Sequence, residues 1–87
     1  MSYSTHRKQS LNVDLPIRHR LSHVRSCAVH VAQKYRVSRS VVLDLVRIAD
    51  ACEERDLPSS LQIEKAIEAL DQIKECGLPT NRRAGKP

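Results

Sequence analysis

Phenylalanine and tryptophan are absent from this 87-residue chain, tyrosine occurs only twice, and glycine stands only at positions 77 and 85. So few aromatics exclude a stacking platform for single-stranded nucleic acid, leaving Tyr35 as a core residue. Two isolated glycines exclude a Gly-rich phosphate loop. No carboxylate pair falls in an expected cleft, and no nucleophile, base and orienter come together, so an enzyme is not expected. No apolar run reaches the length of a membrane span, and the opening residues lack the apolar stretch of a secretion signal, so no membrane partner and a cytoplasmic location are expected. The three cysteines, Cys27, Cys52 and Cys76, are odd in number and form no C-x-x-C. That excludes a disulfide framework and a thiolate zinc site, and they read as small buried apolar residues in a reducing compartment. No cofactor is signalled.

What is present is positive charge, and it is segregated. Residues 1–50 carry nine Lys/Arg against Asp14, Asp44 and Asp50, a balance of +6, and all four histidines lie there too. Residues 51–80 carry seven acids against Arg55, Lys65 and Lys74, a balance of −4. Clustered cations on one half point to a polyanionic partner, because each phosphate neutralised releases condensed counterions. Chains this short build a modest core and often lean on a second subunit.

Along the chain, Leu11-Asn12-Val13-Asp14-Leu15 alternates apolar and polar residues up to Pro16, the pattern of a half-buried strand. From Ile17 the period changes: Ile17, Leu21, Val24, Ala28, Val31 and Tyr35 recur at steps of four and three, one face of a helix ending near Arg36. Ser38 offers a cap for a second helix over about residues 39–55, with Val37 and Val42 placed as a hydrophobic staple and Val41, Val42, Leu45, Ile48, Ala49 and Cys52 as its apolar stripe. Ser59-x-x-Gln62 has capping-box spacing and opens a third helix through Ile63, Ile67, Leu70 and Ile73 to Gly77.

A lone five-residue strand cannot satisfy its own backbone, and the economical partner is the same strand of a second copy, paired about a two-fold axis. Such a ribbon fits a DNA major groove. Leu11-Asn12-Val13-Asp14-Leu15-Pro16 and Tyr35-Arg36-Val37-Ser38-Arg39-Ser40-Val41-Val42 resemble the ribbon-helix-helix superfamily, the MetJ/Arc/CopG-like dimeric regulators. The resemblance implies a mainly α protein, a homodimer with an intersubunit two-stranded antiparallel ribbon and, here, an added C-terminal helix. The resemblance covers the DNA-binding domain at 10–56; composition and periodicity add a flexible basic arm at 1–9, a helix for dimer or protein contact at 57–78 and a disordered basic tail at 79–87. The resemblance implies that Ser10, Asn12 and Asp14 read bases and that Ser38, Arg39 and Ser40 hold a phosphate; apart from it, Arg7 and Lys8 read as either a phosphate-gripping arm or a solvated tail. Arg36 stands where such turns place Gly. A second register, with the strand at Ile17-Arg18-His19-Arg20-Leu21, aims Arg18 and Arg20 at the duplex instead.

The implied function is sequence-specific transcriptional regulation on double-stranded DNA, with a plasmid partition or conjugation accessory role as a variant. Two other readings stand beside it. Ala32-x-x-Tyr35-x-Val37-Ser38-x-x-x-Val42-x-x-Leu45 also fits a helix-turn-helix with residues 39–47 as the recognition helix. An antitoxin or adaptor module would instead use the acidic C-terminal helix to bind a protein. His19, His23 and His30 fall on one helix face, and with no further ligand there they read as exposed histidines and not as a metal site.

Overall fold

A computed structural model describes residues 2–49 and 54–78. Its elements are four helices, α1 (Tyr3–Ser10), α2 (Ile17–Tyr35), α3 (Arg39–Leu45) and α4 (Ser60–Cys76), with a 3-10 turn at Glu54–Asp56 ahead of α4. The long helix α2 is the spine on which α1, α3 and α4 all pack. Its four-three stripe is realised: Leu21, Val24, Ala28 and Val31 are buried, joined by Cys27 and Ala32, while Ile17 and Tyr35 border the core. Each large aliphatic side chain so buried contributes about 1.5–3 kcal/mol relative to exposure.

Helix α4 faces this stripe with Ile63, Ala66, Ile67, Leu70 and Ile73. Its start is the capping box expected from the spacing, in which the Gln62 amide donates to Ser59 Oγ at 3.2 Å and the Ser59 amide donates to Gln62 Oε1 at 2.8 Å. The apolar face expected to reach a second subunit or another protein is therefore buried within the chain's own core.

The ribbon is not formed. Among the described residues there is no strand, so the fold is helical throughout and the ribbon-helix-helix architecture is corrected. Ser10 closes α1, and residues 11–15 turn the chain into α2. The backbone groups that were to need a twin strand are met locally: Asn12 N–H donates to Gln9 O at 3.2 Å, Leu15 N–H to Asn12 O at 3.1 Å, and Asp14 N–H to Asn12 Oδ1 at 2.9 Å. Leu11 packs on the core, Leu15 is half-buried and Val13 is 72% exposed, so the alternation was that of a turn beside the core. The alternative strand at residues 17–21 is the first turn of α2. With the strand goes the reason for an obligatory two-fold partner.

The second helix is also shorter than its pattern suggests. Helix α3 stops at Leu45, and Val46 and Ile48 fold back into the core, while Ala49 is exposed and Cys52 lies outside the described residues. The segment read as a basic arm is α1, packed against α2 and α4. Of the cysteines, Cys27 is buried as expected, but Cys76 is exposed on the last turn of α4.

Candidate nucleic-acid interface

The connection between α2 and α3 is built from the end of α2 upward. Arg36 adopts the left-handed conformation, φ 57° and ψ 43°. Its N–H donates to Gln33 O at 3.3 Å, and Val37 N–H reaches Ala32 O at 3.0 Å. These two bonds form a Schellman ending, closed by Val37 packing back on the core. Ser38 then leads into α3. Val31 and Ala32 of α2 and Val42 of α3 are buried in the common core where the two helices meet.

The other end of α3 repeats the device. Arg47 has φ 62°, its N–H donates to Asp44 O at 3.2 Å, and Ile48 N–H donates to Leu43 O at 3.0 Å. Arg36 and Arg47 are the two non-glycine residues with positive φ among those described. Glycine is the residue that both positions favour, and a larger one there costs of order 1–2 kcal/mol. Neither guanidinium makes a hydrogen bond or ion pair among the described residues, and both residues are exposed. Arg47 also borders an open groove of about 310 Å³ beside α4, where Lys65 adds a second cation.

Between these arginines α3 buries Val42 and Leu43 and turns Arg39, Ser40, Val41 and Asp44 outward. Val41, expected in the apolar stripe, is 41% exposed. Ser38 occupies the cap position, but its hydroxyl pairs with Ser40 Oγ at 3.1 Å and makes no capping bond to an amide.

The remaining candidates lie apart from this surface. Lys8 is exposed on α1, Asn12 and Asp14 on the following turn, and Arg18 on the first turn of α2. Ser10 and Arg20, both expected to face DNA, are buried together: Arg20 is 3% exposed, its Nε donates to Ser10 O at 2.8 Å and its Nη1 to Ser60 Oγ at 3.1 Å. Arg20 Nη2 has no hydrogen-bond partner among the described residues, and the carbonyl end of α1 helps stabilise the cation. It ties α1, α2 and α4 together.

His23 and His30 do not stand free with His19 but face α1. Among the described residues no three ligand-type side chains converge where a metal ion could be held, and no helix is long and apolar enough to cross a membrane. The pair Arg36 and Arg47 was legible only in part. A shared signal existed in Tyr35-Arg36-Val37 and Val46-Arg47-Ile48, an apolar residue, an arginine and a β-branched residue, which repeats at the two helix ends. No protein-family model matches the chain, and no curated protein or solved structure matches it either.

Proposed function

We propose that this protein is a non-catalytic binder of double-stranded DNA that presents α3 to the major groove as the recognition helix of a helix-turn-helix. The observation that carries the reading is the placement of arginine at both glycine-favouring positions that bracket α3. Backbone strain at an exposed position marks a side chain retained for some use other than folding, and here both side chains are cations with no partner among the described residues. Phosphate contacts from Arg36 and Arg47 would set the register of the unit on the duplex. Arg39 and Ser40, on the exposed first turn of α3, would meet base edges. The +6 balance of residues 1–50 supports the same reading through long-range attraction. Regulation of transcription is the role that such binding most directly serves.

Titration of a labelled mixed-sequence duplex at about 50 mM and about 200 mM salt tests the reading. Affinity is expected to fall steeply, by about tenfold or more, as released counterions are returned. Absence of duplex binding at the lower salt contradicts it.

A further inference from the structure

Helix α1 is attached with little apolar burial, Tyr3 alone among its residues packing on the hydrophobic core. Its eight residues, YSTHRKQS, include no aliphatic side chain, and a helix this short does not persist alone in water. Its other attachments are polar. Tyr3 Oη donates to Asp71 Oδ1 at 2.7 Å, Arg7 Nε meets both Asp71 oxygens at 2.9 and 3.1 Å, and Arg20 binds the Ser10 carbonyl. At the centre of the contact with α2, His6 Nδ1 and His23 Nδ1 are 2.9 Å apart, so one ring donates and the other must keep its lone pair. His30 closes the other side, its ring 5.8 Å from that of His6 and 6.5 Å from that of Tyr3.

We propose that α1 is an acid-released clasp, docked on α2 and α4 while the His6–His23 hydrogen bond holds and let go when acid leaves neither of the facing nitrogens able to accept, uncovering Cys27. The hydrogen bond survives one proton on the pair and is lost with two, when both nitrogens become donors. The surroundings offer little compensation. Against His6 stand His23 and His30 of α2; elsewhere in the same contact lie the Cys27 thiol of α2, Tyr3 and Arg7 of α1, and Asp71 and Lys74 of α4, the last 4.8 Å over the Tyr3 ring. The one carboxylate among these, Asp71, is already engaged by Tyr3 and Arg7. Burial, then the charge of His23, then the amino-terminal ammonium and His30, hold His6 below the usual histidine range.

The sign follows from linkage. Free of its neighbours His6 takes up a proton near pH 6.5, and docked it does so only at lower pH, so the released form binds the proton more tightly. The clasp is therefore fully in place above about pH 6.5 and weakens as pH falls below it. Cys27 reports on it, because the thiol is buried with Sγ 3.9 Å from Tyr3 O, and burial pushes it up to about 11.

The test is alkylation of the full chain, scored as the rate at Cys27 relative to exposed Cys76, which removes the pH dependence common to thiols. Between about pH 7.5 and about pH 5.5 the ratio is expected to rise by about tenfold, the equivalent of one pKa unit. Amide exchange at Ile67 and Leu70 should meanwhile stay slow. His6→Gln, and independently His23→Gln, keep a hydrogen-bonding side chain that does not titrate, and should flatten the rise. A flat ratio in the unaltered protein, an undiminished rise in both variants, or loss of α4 protection together with α1 would each overturn the proposal.

Discussion

Two helices rest on α2 and are held there by opposite means. Helix α4 brings Ile63, Ile67, Leu70 and Ile73 into the core, whereas α1 brings hydrogen bonds, one partly exposed ion pair and a histidine contact. Apolar burial is nearly indifferent to pH, but each polar contact of α1 depends on a protonation state or on water staying away. The molecule thus divides into a core that defines the fold and a flap whose docking is conditional, as expected where buried apolar contacts are few.

Substitutions can break or sharpen that division. Leu70→Ala, in the middle of the α4 contact, should lower global stability by about 2–5 kcal/mol, measured as a shift of the urea midpoint at unchanged slope. Asp71→Asn removes the hub that holds Tyr3 and Arg7. Because the Arg7–Asp71 pair is partly exposed, with side chains 44% and 31% accessible, the global loss should stay near or below about 1 kcal/mol. Amide exchange in α1 should quicken while that of α4 does not, and equal loss in both helices would dissolve the distinction. Smallest is Arg36→Gly, expected to raise stability by about 0.5 kcal/mol, the relief of the left-handed turn less the backbone entropy that glycine loses, read from thermal unfolding.

The same division explains what could be read from the sequence. The boundaries of α2 and the cap and buried face of α4 were legible, because a four-three apolar stripe and Ser59-x-x-Gln62 are local signals with a direct physical cause. Helix α1 was invisible, since nothing in YSTHRKQS marks a helix and its stabilising partner Asp71 lies 68 residues from Tyr3. The strand was misread because Leu11, Val13 and Leu15 alternate over too few residues to separate a strand from a turn that lays Leu11 on the core. The end of α3 was missed because Arg47 occupies the position at which a glycine would have announced it. Of the candidate surface, Ser38, Arg39 and Ser40 were singled out through the family resemblance and Arg36 as an arginine at a glycine position, whereas Arg47 emerged only with its backbone angle.

The most direct measurement is duplex binding by the double variant Arg36→Gly, Arg47→Gly, followed across salt concentrations alongside its thermal stability. Glycine suits both turns, so the fold should be retained or strengthened, while affinity falls for every sequence and the slope of log affinity against log salt shrinks by about two. A stably folded variant that binds duplex DNA with unaltered affinity and unaltered salt slope would contradict the assignment of this surface.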